Sequence, residues 1–150
     1  METKDLALSL VKKFGTRDPF KICEYLDYTI YFAPLHDMKG YYHQVQRNKI
    51  ICINSNLDEF VRTFTCAHEL GHSLLGGNSN KFFLARKTHF YLPKYEVHAD
   101  RFAVDLLFDD YDLQSYLEYP ITTTASSLGV SVELAAYRMS TVEPRLFPEW

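Results

Sequence analysis

Apolar residues recur at helical spacing from the start of the chain: Leu6, Leu10 and Phe14 stand four apart, and Ala7, Leu8 and Val11 widen the stripe. The pattern predicts a helix over 2–14, stopped by Gly15. Asp18-Pro19 reads as an N-cap followed by a first-turn proline, opening a short helix to about Leu26. The period then becomes strand-like. Tyr28–Ala33 is β-branched and aromatic, Gly40–Gln46 carries strand-favouring residues, and Lys49–Asn54 holds Ile-Ile-Cys-Ile. Arg47-Asn48 suits a tight hairpin turn between the last two runs, with Asn accepting a left-handed backbone. Together the three runs predict a small antiparallel sheet.

Asn56 or Asp58 then caps a long helix with Phe60, Phe64, Ala67 and Leu74-Leu75 among its apolar positions, ending at Gly76-Gly77. Residues 77–94 are loop-like, interrupted by a short strand over Lys81–Leu84. Tyr95–Phe108 is again helical, with Ala99, Phe102, Ala103, Leu106 and Leu107 forming its inward stripe. A further short helix runs to about Glu118, before Pro120. A helix, a turn at Gly129, an N-cap at Ser131 and a last helix to Arg138 follow. This helical hairpin, about 111–140, is expected to pack on the rest within a single domain spanning 1–150. It resembles half of a DNA-reading helix-turn-helix, though a bare hairpin explains the pattern equally well.

Composition narrows the classes. A chain of 150 residues suits one domain with a substantial core, and 47% hydrophobic with 23% charged residues is the balance of a globular protein. The aromatic share of 15% fits an aromatic-rich core or groove. A net charge of −3 gives no electrostatic footprint for nucleic acid, so direct binding to it is not expected. No apolar run has membrane-spanning length and Met1-Glu2-Thr3-Lys4-Asp5 is no signal peptide, so the expected location is the cytoplasm. Cys23, Cys52 and Cys66 lack Cys-x-x-Cys spacing and read as buried, reduced thiols.

The candidate chemistry lies in Ala67-His68-Glu69-Leu70-Gly71-His72. Residues four apart share one helical face, so His68 and His72 can offer two imidazole nitrogens to a single metal ion. Glu69 can reach a water at that ion and act as general base. A His-Glu-x-x-His pattern arises by chance in about one sequence in seventy of this composition, so it calls for a third ligand as support. A catalytic zinc takes three protein ligands and leaves one position open. The helix over 95–108 offers Glu96, His98, Asp100 and Asp105. Glu96 is the choice, because Asp100, four residues on, can then accept a hydrogen bond from a ligand histidine and fix its ring. His98 is the rival; it lies about 200° round the helix from Glu96, so the two cannot serve one ion. His36, His43, His89, Tyr41, Tyr42, Tyr91 and Tyr95 compete for the role of hydrogen-bond donor to the transition state. Gly71 weakens the helix by roughly 1 kcal/mol relative to Ala, which calls for close approach of another backbone or of substrate.

The run Arg62 to His72, followed by Glu96-x-x-Ala99-Asp100-x-Phe102-Ala103-x-x-Leu106-Leu107, resembles the ImmA/IrrE family of bacterial and phage metallopeptidases. The resemblance extends to the Asp18-Pro19 helix, the strand pair before the motif and the Gly-Val-Ser turn near the C-terminus. It implies an α+β fold of phage or mobile-element origin, with a zincin-like core of sheet and active-site helix and a helical segment at the C-terminus. It further implies Zn2+ on His68, His72 and Glu96, with Glu69 as base. The partner it implies is a helix-turn-helix repressor that holds a mobile element silent, either cut by the enzyme or bound by a module that does not cut. Gly76 and His98 depart from the family pattern, where another His and an acidic residue are common.

Overall fold

In the computed structural model, which describes residues 2–76 and 92–144, the first apolar stripe folds as helix α1 (Thr3–Phe14), and Gly15 ends it at a φ of 70°. Helix α2 (Pro19–Tyr25) starts as its sequence predicts: the Asp18 side chain accepts the Phe20 N–H, and Pro19 has no N–H to leave unsatisfied. The strands are β1 (Thr29–Ala33), β2 (Gly40–Val45) and β3 (Asn48–Asn54).

The sheet is mixed, and this corrects the all-antiparallel expectation. Its order is β1-β3-β2, with β2 antiparallel and β1 parallel to β3. The reason is burial. Ile51, Cys52 and Ile53 make β3 the most buried strand, and a buried strand is best paired on both sides. The β2–β3 hairpin occupies one side, so β1 takes the other, and the chain reversal after Ala33 makes it parallel. The hairpin loop is also shifted: Val45 pairs with Asn48, leaving Gln46-Arg47 as the turn. Gln46, not Asn48, takes the positive φ, at 57°.

Asp58, not Asn56, caps helix α3 (Glu59–Leu75), accepting the Val61 N–H, and Gly76 closes it at a φ of 68°. Such a cap contributes about 1 kcal/mol. Helix α4 (Pro93–Leu107) begins two residues before the predicted start, with proline at its first position. α3 is the centre of this part of the molecule: it packs on β2, β3 and α2 and also against α4, which α1 covers in turn. Ile22, Ile51, Ile53, Leu70, Phe102 and Leu106 build the core between them.

Two interactions from the N-terminal segment tie down α4. The Thr3 hydroxyl donates to the buried Asp105 carboxylate at 2.7 Å. The Arg17 guanidinium donates to the Asp105 and Leu106 carbonyls at 3.2 and 3.0 Å, where the helix dipole favours a cation. Asp105 is thereby committed away from the histidine motif. The predicted strand over Lys81–Leu84 and most of the predicted loop fall outside the described residues.

The chain divides after Leu107 into two compact units. The second holds α5 (Asp110–Leu113), a 3-10 turn (Gln114–Glu118), α6 (Ile121–Leu128) and α7 (Val132–Ser140). Gly129 makes the predicted turn at a φ of 73°, and Ser131 caps α7 through the Leu134 N–H. Leu113, Leu128 and Val142 form its core. Arg138, only 1% exposed, replaces water with protein partners: the Asp110 carboxylate at 2.7 Å, the Phe108 carbonyl at 2.6 Å and the Thr141 hydroxyl at 2.9 Å. Among the described residues no helix is long and apolar enough to cross a membrane.

Candidate metal centre

One turn of α3 separates His68 from His72, and their Nε2 atoms meet at 3.1 Å. Glu96, in the first turn of α4, brings Oε1 to 2.5 Å from His72 Nε2 and 3.4 Å from His68 Nε2. Asp100, one turn further along α4, accepts the Nδ1–H of His68 at 2.8 Å. That bond holds the ring and leaves Nε2 to face the other two donors. His98, the rival candidate, is exposed on α4.

Glu69 is 6% exposed, and its Oε1 has no hydrogen-bond partner among the described residues. Its other oxygen stands 3.9 Å from His68 Nε2. His68, Glu69 and His72 form a group that could hold a metal ion, their donor atoms lying within 4.8 Å of one another. Glu96 Oε1, at 3.4 Å, is nearer to His68 Nε2 than the Glu69 oxygen is, at 3.9 Å.

These residues fit a divalent metal ion. Donors around a tetrahedral ion with bonds of ~2.0–2.1 Å lie about 3.3 Å apart, the range in which these three side chains already meet. Two imidazoles and a carboxylate are donors that zinc accepts, and the orphaned, buried Glu69 oxygen points to a missing polar partner.

The electrostatics reflect the crowding. Burial opposes a charge on His68, but its bonds to Asp100 and Glu96 and the nearby Glu69 outweigh this and lift its pKa to about 10. Burial lowers His72, which Glu96 offsets only in part. Hydrogen bonds from both histidines pull Glu96 down to about 2. Burial raises Glu69 to about 7, with His68 acting against it. A carboxyl poised near neutrality inside a cleft is the property a proton carrier needs.

A cavity of about 410 Å³ opens over these groups. α3 and α4 supply His68, Glu69 and Glu96, and the segment leading into β2 supplies the facing wall, including Lys39, Gly40 and Tyr41. Gly40 is required there: a Cβ would fall 2.7 Å from both the Cys52 carbonyl oxygen and the Thr65 methyl. Asn54, 3% exposed, holds the wall by donating to the His36 and Met38 carbonyls at 3.0 Å each. Apart from Tyr41, already a candidate donor, this wall carries no motif, and its signal in the sequence is a glycine opening a strand. Of the candidate donors, Tyr41 lines the cavity, while Tyr42 is buried in the core and His89 and Tyr91 lie outside the described residues. All three cysteines are buried and free, with Cys66 Sγ 4.0 Å from Cys23 Sγ.

The sequence model of the IrrE N-terminal-like domain, Peptidase M78, matches residues 23–140. The uncharacterized immunity region protein 2 of Bacillus phage phi105 is 40% identical over 129 residues, covering 84% of this chain and 82% of that one. Metallopeptidase ImmA of Bacillus subtilis (strain 168) is 30% identical over 113 residues, 74% of this chain and 66% of its own length. A Mycobacterium tuberculosis transcriptional regulator has the same fold, with a TM-score of 0.58 at 16% identity. The likeness spans 96% of this chain and 48% of that structure.

Proposed function

The chain belongs to the Peptidase M78 family, and from that premise we propose that it is a zinc-dependent endopeptidase acting on a cytoplasmic protein, a helix-turn-helix repressor of a phage or mobile element. The observation that carries this reading is the meeting of His68, His72 and Glu96 within 2.5–3.4 Å beside a buried Glu69 with an unpartnered oxygen. ImmA, a metallopeptidase by name, and the phage immunity-region protein support it. The sheet, α3 and α4 together are read as a zincin-like core.

His68, His72 and Glu96 would hold the ion, and Asp100 would keep the His68 ring turned towards it. When bound, zinc supplies Lewis acidity, making water a usable nucleophile near neutral pH. Glu69 takes the proton from the attacking water and delivers it to the departing amine, first as base and then as acid. Burial, which raises the pKa of Glu69, favours its holding the proton between the two transfers. The outer edge of β2, which pairs only with β3 among the described residues, receives the substrate as an added strand. Tyr41, on the cavity wall, would donate to the oxyanion.

The test is to mix the purified protein with a helix-turn-helix repressor of the phage or mobile element that carries it and to follow fragments on a gel, with and without chelator. Fragments that disappear with chelator support the peptidase. An intact repressor in a stable complex supports instead a module that sequesters it without cutting.

A further inference from the structure

Gly71 sits between the two histidines, although alanine is the better helix former at an interior position. The packing supplies the reason. A Cβ built on Gly71 would stand 2.9 Å from Phe102 Cδ2 and 3.4 Å from both Ala99 Cα and Phe102 Cβ. Ala99 and Phe102 are fully buried on α4, so neither can swing aside. Ala67, one turn before Gly71, and Ala103, one turn after Ala99, are fully buried as well. Gly71 adjoins His72, and Ala99 follows Glu96 by three residues. This tight contact between α3 and α4 thus lies within a turn of the pair whose Nε2–Oε1 distance is 2.5 Å.

From these contacts we infer that Gly71 is a positioning residue for the metal donors: its missing side chain sets the spacing of α3 and α4 at which Glu96 reaches His68 and His72. The inference rests on the metal reading given above. Carbon atoms in ordinary contact sit ~3.5–4.0 Å apart, so a methyl group at position 71 drives the helices apart by about half an ångström or more. Metal–donor distances tolerate only about 0.2 Å. The expected loss of zinc affinity is about 10–100-fold, the scale seen when the supports of metal ligands are disturbed.

The experiment measures zinc affinity of the metal-free wild type, Gly71→Ala, and Gly71→Ala combined with Phe102→Val, by competition with a chromophoric chelator. Valine has no δ carbon and so removes the nearest clash. Circular dichroism reports the fold of each. The inference predicts a folded Gly71→Ala protein with affinity 10–100-fold below wild type, and a double variant restored to within about threefold of wild type. It is overturned by a Gly71→Ala protein that binds as tightly as wild type, or by a folded, weakened one that Phe102→Val does not restore. Unfolding of Gly71→Ala also overturns it, because the contact would then serve stability and not spacing. A wild type that binds no zinc is a different outcome and sinks the metal reading itself.

Discussion

If His68 is a metal donor as proposed, zinc added to the metal-free protein at pH 8 should displace a proton from it. The ring lies between carboxylates, with Nδ1 2.8 Å from Asp100 and Nε2 3.4 Å from Glu96, and these partners raise its pKa to about 10. A metal needs the neutral Nε2 lone pair, so the proton must leave. The other donors release none: His72 is lowered and already neutral, and Glu96, held near 2, is already ionised. Glu69, near 7, is mostly ionised at pH 8. The expectation is therefore about one proton released per ion bound, and an apparent affinity falling about tenfold for each pH unit below ~10. Between pH 9 and pH 7 this amounts to about 100-fold, or ~2.7 kcal/mol. Calorimetry in buffers of different ionisation enthalpy counts the protons directly. Tight binding at pH 8 with no proton released would refute the reasoning. The same raised pKa has a stability consequence in the metal-free protein. Its contribution is complete below the unfolded value near 6.5 and is lost as pH rises through about 10, so the metal-free melting temperature should fall across that range.

On the proposed mechanism, replacing Glu69 with Gln removes the proton carrier and leaves the three donors, so metal content should stay at wild-type level and cleavage should fall about 10²–10⁴-fold; an active variant assigns the base elsewhere. Asp100→Ala frees the His68 ring and should weaken zinc about 10–100-fold in a chelator competition, without loss of helix by circular dichroism. In the second unit, Arg138→Ala leaves the Asp110 carboxylate and the Phe108 carbonyl without their cation and should cost about 3 kcal/mol in denaturant unfolding. A cost below about 0.5 kcal/mol would show that the buried arginine does not hold that unit together.

The parts of this protein that the chain announces are those set by local spacing. His68 and His72 share a helical face at any fold, and the Glu96–Asp100 interval suits a donor with its support on whatever helix faces them. Asp18-Pro19, Gly129 and Ser131 likewise act within a few residues of themselves. What needed the structure is non-local. The side of β3 on which β1 lies follows from burial of the whole sheet, and no turn adjacent to β1 decides it. The left-handed Gln46 is imposed by closure of its hairpin against the preference of its side chain. Asn54 recognises backbone carbonyls, which every residue carries, so nothing in the 36–38 stretch marks it as the partner. Gly71 signalled a close approach, but only the packing names Phe102 and Ala99 as its cause.

The central claim is that two imidazoles and one carboxylate of this chain hold a single zinc ion. X-ray absorption at the zinc edge, on protein purified without chelator, tests it most directly. The account predicts one zinc per chain, with two imidazole rings at ~2.0–2.1 Å and only oxygen besides. Protein that carries no zinc, or a sulphur neighbour at ~2.3 Å from one of the cysteines, would contradict it.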